Sequence, residues 1–262
     1  MIAEHLELYK KWFKDYARSF LGGSETDDNN IQIKIDHTRR VCDEITFLSR
    51  SLGLDKDDIA QAQICALFHD VGRFEQYKRH GTYADHQSED HAQLGVTILR
   101  QQKVLANLPA AQRELIIRVI ACHNLARLPD DLDERTCFFA RLLRDADKLD
   151  IWRVVVAYYR EREHKPNTVI ELNLPDTPGL SAGVLNDLRA GRFVDRRHIR
   201  NLNDFKLLQV GWIYDLNFPA TYRLVKERNY LGSILGHITD GPELAKVRAL
   251  ITAFLEEKTR HQ

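Results

Sequence analysis

Apolar residues recur along most of the chain at the three- and four-residue spacing of helices with one buried face. Leu6, Tyr9, Phe13, Tyr16 and Phe20 form a first stripe. Further helices are expected over about 35–52, 55–69, 88–105, 111–123 and 133–162, then 181–190, 195–215, 219–228 and 242–258. Gly53 closes the first of these, and Asp55–Asp58 suit the first turn of the next. The acidic, polar stretch Gly22–Asn30 reads as a surface loop, and residues 71–87 as a long irregular one. Pro166, Pro175, Pro178 and Gly179 mark another loop over 163–181. Within it, the alternation Val169-Ile-Glu-Leu-Asn-Leu174 allows one short hairpin strand. The expected fold is all-α, with no internal repeat and no clear boundary. It is a single helical domain over 1–262, with a core over about 30–160 and a C-terminal helical extension over about 181–262.

Polar residues interrupt the inward stripes in a systematic way. His37 aligns with Val41, Ile45 and Leu48, and His69 with Ala62, Cys65 and Ala66. His91 leads into Leu94, Gly95 and Ile98, while His123 follows Ile116, Val119 and Ile120. Asp147 aligns with Ala140, Leu143 and Ile151. One histidine on an apolar face is ordinarily a satisfied core residue. Imidazoles and a carboxylate on five inward faces, with Asp70 directly after His69, call for a shared partner, because buried polar groups must be paired. Neutral imidazoles and carboxylates around one centre suit divalent first-row metals. Six such side chains exceed what one catalytic zinc requires and fit two metals sharing a carboxylate.

The ordered set His37, Ala66-Leu-Phe-His-Asp-Val-Gly-Arg73 and Arg144-Asp-Ala-Asp-Lys-Leu-Asp150 resembles the HD-domain superfamily of metal-dependent phosphohydrolases. His91-Ala-Gln-Leu-Gly95 and Ala121-Cys-His-Asn124 are similar to segments of its two-metal members, such as the HD-GYP and cyclic-dinucleotide phosphodiesterases. Asn124 stands where HD-GYP proteins have a second histidine, and there is no Gly-Tyr-Pro segment, so the resemblance does not extend to a cyclic di-GMP substrate. It implies a helical bundle with two divalent ions, drawn from Mn, Fe, Co, Mg, Ni and Zn. His37, His69, Asp70 and Asp147 would hold one ion, His91 and His123 the other, with Asp70 bridging. The implied activity is phosphoester hydrolysis, of a phosphodiester or a nucleotide phosphomonoester, by a metal-bridging hydroxide. Arg73 and Lys148 are the candidate phosphate-binding residues beside Asp70. The same ligand order occurs in inositol oxygenase and the phosphonate-cleaving oxygenases, so a di-iron oxygenase is one alternative. A non-catalytic nucleotide-binding sensor is another.

Other features carry less chemistry. His86 and Asp90 flank His91 and suit either a supporting role or a place in the ligand set instead of His91; the plainer reading of the segment is helix capping by Asp85 or Ser88. Arg189, Arg192, Arg196, Arg197 and Arg200 read as a locally paired, solvated face. Trp212, Tyr214, Phe218 and Tyr222 read as core. Lys plus Arg equal Asp plus Glu, 38 against 38, and this balance argues against a general nucleic-acid or membrane-surface binder. The expected partner is a small phosphorylated, nucleotide-like substrate. Four cysteines without a C-x-x-C pair, no apolar leader and no membrane-spanning run point to the cytoplasm.

Overall fold

The computed structural model describes residues 2–164, 166–239 and 241–260 and, as expected, is all-helical, with no strand among them. It divides into two compact units, Met1–Asp150 and Ile151–Gln262. The first contains α1 (Leu6–Arg18), α2 (Glu25–Ser51), α3 (Lys56–Phe68), α4 (Gly72–His80), α5 (His91–Gln101) and α6 (Ala110–Cys122). It also takes the first part of α7 (Glu134–Glu161). The second contains the rest of α7, then α8 (Ala182–Arg189), α9 (Leu202–Gly211), α10 (Pro219–Glu227), α11 (Tyr230–Leu235) and α12 (Pro242–Arg260).

In the first unit α2 packs along α3, α3 meets α6, and α4, α5 and α6 pack in succession. Val41, Ile45, Leu48, Phe68, Ile116, Ile120 and Leu143 lie fully inside. The aromatic stripe of α1 closes over this core, with Tyr9 edge-on to Phe68 and Phe13 edge-on to Phe74, each pair 5.8 Å apart. In the second unit Trp152 Nε1 donates to Gln209 O at 2.8 Å, and the Tyr159 hydroxyl donates to Gln209 Oε1 at 2.9 Å. Several polar groups of the second unit pair within it. Tyr214 and Tyr222 donate to Leu188 O and Leu216 O. Arg192 pairs with Asp187, Arg197 with Asp195, and Arg189 with Glu243.

Several local expectations give way. The helix expected over 195–215 is confined to α9 with a 3-10 turn on either side, and three further segments also differ. Residues 22–30 are the cap and first turns of α2. Ser24 accepts from Asp27 N, Asp28 Oδ1 accepts from Gly22 N and Gly23 N, and the acids sit at the positive end of the helix dipole. Residues 71–87 contain α4, which buries Phe74 and Tyr77 and stops at Gly81, whose φ of 63° suits glycine. Residues 169–174 form turns, not a strand. Asn167 Oδ1 accepts from Val169 N and Ile170 N, and Leu172 and Asn173 take φ values of 53° and 56° that no strand accommodates. α11 is a further helix beyond those expected from the pattern.

Candidate metal centre

The site is assembled from helix ends as much as from helix faces. His37 lies in mid-α2 and Asp147 in mid-α7, while His69 and His123 cap the C-termini of α3 and α6, and His91 begins α5. Asp70 follows His69 in the tight turn into α4. The last carbonyls of a helix lack intrahelical partners. At both C-termini the capping histidine reaches back three residues: His69 Nδ1 donates to Ala66 O, and His123 Nδ1 to Ile120 O, each at 2.7 Å. His37 Nδ1 donates to Asp150 Oδ2 at 2.7 Å, and His91 Nδ1 to Asp85 Oδ2 at 2.8 Å.

All four Nδ1 atoms therefore face pure acceptors, so in the neutral rings all four Nε2 atoms carry lone pairs. Those lone pairs point at one another. His37 Nε2 and His69 Nε2 are 3.3 Å apart, and His91 Nε2 and His123 Nε2 are 3.0 Å apart. Two acceptors at such distances repel unless a cation lies between them. The carboxylates complete the pattern. Asp70 turns Oδ2 to the first pair, at 3.6 Å from His37 and 3.7 Å from His69. It turns Oδ1 to the second pair, at 3.3 Å from His91 and 3.9 Å from His123. Asp147 Oδ1 joins the first pair, 3.1 Å from His37 Nε2 and 3.6 Å from His69 Nε2, and is buried without a hydrogen-bond partner. His37, His69 and Asp70 form one group close enough to hold an ion, and Asp70, His91 and His123 form another. This donor set fits divalent metal.

The electrostatics prepare these side chains as ligands. Burial opposes ionisation of Asp70, but Lys34, His69, His123 and His91 hold its carboxyl well below the ordinary carboxylate range. Asp147 is likewise held low against burial by His37 and His69. Burial and then the Arg73 charge lower the pKa of His91, favouring the neutral ring that a metal needs. His37 behaves in the opposite way: burial disfavours its imidazolium, but the carboxylates of Asp147 and Asp150 beside its two ring nitrogens prevail and raise its pKa to about 8. Its Nε2 must then lose a proton before it can coordinate. Apparent metal affinity at this group should fall about tenfold per pH unit below pH 8. Competition with a chromophoric chelator between pH 6 and 8.5 would measure this, and a flat profile would contradict it.

The residues behind the ligands were partly legible in the sequence. Asp150, one helical turn beyond Asp147, orients His37 and is itself held by Arg40, whose Nε donates at 2.5 Å. Asp85 orients His91 and receives Arg73 Nη1 at 2.7 Å and Gln76 Nε2 at 2.9 Å. Arg73 Nη1 also donates to Gln76 Oε1 and Tyr83 O, and its Nε lies 3.5 Å from Asp70 Oδ1. Its guanidinium thus braces Asp70 and Asp85. Lys148 is buried beside its own helix, with Nζ 3.4 Å from Arg144 O. Asp90, not Asp85 or Ser88, caps α5, accepting from Ala92 N and Gln93 N. His86 is exposed and belongs to none of the potential ligand groups among the described residues. Lys34 escaped the sequence reading. It stands one turn before His37 on the same face, and its Nζ is 2.8 Å from Asp70 Oδ2. The i, i+3 spacing from a ligand was the available signal for both Lys34 and Asp150.

Two glycines let these elements meet. A Cβ on Gly72 would lie 2.1 Å from His91 O and 2.7 Å from Gly95 N, and one on Gly95 would lie 3.1 Å from Val71 Cγ1. The backbone after Asp70 thus touches the backbone of α5 at His91, which brings the two ligands within reach.

No helix among the described residues is long and apolar enough to cross a membrane. No curated protein and no solved structure gives a significant match to the chain. The family model for the HD domain matches residues 35–152, a span containing all six clustered side chains. Residues 35–152 of this all-helical chain thus resemble an HD domain, the mark of a superfamily composed mostly of metal-dependent phosphohydrolases, and the paired histidines and Asp70 are compatible with an HD metal site.

Proposed function

We propose that this chain hydrolyses phosphate esters with the aid of two divalent ions. One is held by His37, His69, Asp70 and Asp147, the other by Asp70, His91 and His123. The observation that carries this reading is the split of Asp70, whose two oxygens address two separate pairs of Nε2 lone pairs. A single ion leaves one of those pairs unsatisfied. When bound, such ions lower the pKa of water and neutralise charge on phosphoryl oxygens.

The chain's own residues set the geometry for that chemistry. Asp150 and Asp85 fix the ring orientation of His37 and His91, and the Ala66 and Ile120 carbonyls do the same for His69 and His123. Partners of this kind are worth roughly 10–100-fold in metal affinity or activity. Arg73 braces Asp70 and Asp85 and, with His91, keeps Asp85 ionised. The substrate class is a small phosphorylated compound with nucleotide-like character.

The test is elemental analysis of protein purified without chelator, followed by turnover of p-nitrophenyl phosphate and bis(p-nitrophenyl) phosphate with manganese, cobalt or magnesium. About two first-row ions per chain and metal-dependent release of p-nitrophenol are expected. One ion or none after metal is offered back, or no turnover of either ester, would defeat the proposal. Two irons with substrate-dependent oxygen uptake would instead favour an oxygenase.

A further inference from the structure

We propose that Lys34 is the cation that receives the substrate's phosphate, and that it selects a dianionic phosphomonoester over a monoanionic diester. The inference rests on the two-ion reading of the site and goes on to name the substrate class. The Lys34 side chain is 18% exposed, whereas Asp70 and His37 beside it are each 5% exposed and His69 is fully buried. Asp147 of the same group is 19% exposed, so Lys34 and Asp147 are what solvent, and hence an arriving substrate, reaches at the first ligand group. Its Nζ is 2.8 Å from Asp70 Oδ2 and 5.2 Å from the centre of the Tyr83 ring. That ring is itself anchored, since the Tyr83 hydroxyl donates to Asn30 O at 2.9 Å. The ammonium is thus held between a carboxylate and an aromatic face, in the setting of a cation–π contact.

An ammonium has three donors, and Asp70 uses one. The others remain for phosphate oxygens without breaking the Asp70 pair. The neighbouring cations are differently committed. Arg73 Nη1 serves Gln76, Tyr83 O and Asp85, and Arg40 serves Asp150 through both Nε and Nη2. Charge then decides the substrate. Asp85 is offset by Arg73 and Asp150 by Arg40, so the two ions, Asp70 and Asp147 leave a net charge of about +2, which Lys34 raises to about +3. A compact point charge at that position favours the ester with the extra phosphate charge.

The experiment compares wild type, Lys34→Gln and Lys34→Arg. Inorganic phosphate, which carries the monoester's charge, is titrated calorimetrically into the manganese-loaded proteins. Metal content and kcat/KM for the p-nitrophenyl monoester and diester are measured in parallel. Lys34→Gln should keep its metal, bind phosphate at least about tenfold more weakly, and lose at least about tenfold more monoester than diester activity. Lys34→Arg should retain phosphate affinity within a few fold. Unchanged phosphate affinity and an unchanged monoester-to-diester ratio in a metal-replete Lys34→Gln protein would overturn the proposal. So would loss of metal in that variant, which would make Lys34 a support for Asp70 only. Wild type inert to both esters but binding phosphate in a Lys34-dependent way would refute the hydrolase reading while upholding the role of Lys34.

Discussion

Replacing Asp70 with alanine is expected to empty both halves of the metal centre at once. Asp70 is the one side chain whose two oxygens are divided between the groups, Oδ2 toward His37 and His69 and Oδ1 toward His91 and His123. Without it the His91 and His123 pair keeps no carboxylate, the His37 and His69 pair keeps only Asp147, and Lys34 loses its ion-pair partner beside them. At the second group two neutral nitrogens hold a divalent ion far less well than two nitrogens and a carboxylate, and at the first the Lys34 charge, no longer offset by Asp70, opposes an ion held by His37, His69 and Asp147. Metal content should fall below half an ion per chain, and ester hydrolysis by more than about 100-fold, beyond what loss of a supporting partner costs. Helical circular dichroism should persist, because the core around the site is apolar and independent of Asp70. Asp147→Ala is the informative control. Asp147 approaches only His37 and His69, so the second group stays intact and at least about one ion should remain. Full occupancy in Asp70→Ala, or equal losses in the two variants, would contradict the bridging assignment.

Gly72→Ala should be the most disruptive substitution of a residue that carries no functional group. Its Cβ would lie 2.1 Å from His91 O, 2.7 Å from Gly95 N and 3.1 Å from His91 C, all of them backbone atoms of α5. A side-chain neighbour can rotate away, but backbone at a helix start can yield only by moving the helix. Overpacking of this kind costs about 3 kcal/mol or more. For a chain of this length that corresponds to a fall in Tm of roughly 6–12 °C. The displacement also separates Asp70 from His91, so metal should be lost chiefly from the His91 and His123 side. Thermal unfolding with parallel metal analysis checks both effects. A Tm within about 2 °C of wild type, with full metal content, would show that α4 and α5 part at little cost. Gly95→Ala should be milder, because the nearest atom to its added Cβ is a Val71 methyl carbon at 3.1 Å.

What the sequence alone determined was the helical class and the inward direction of His37, His69, His91, His123 and Asp147, with Asp70 placed beside them by its position after His69. Helical period reports which way a residue faces, so histidines in line with Val41, Cys65, Leu94 and Ile120 read as inward-facing from spacing alone. The same periodicity is blind where a segment is short or stabilised by side-chain-to-backbone bonds. That is why the Ser24 cap read as loop, α4 went unseen, and the turn held by Asn167 read as strand. Only the tertiary structure decided how the six side chains are shared. The division of Asp70 between two pairs, the proton placed on every Nδ1, the bracing of Asp85 by Arg73 and the position of Lys34 all depend on atoms brought together from distant segments. Spacing along a chain fixes direction within one helix. Distances between helices follow from how closely their backbones pack, and here that is set by Gly72 against His91.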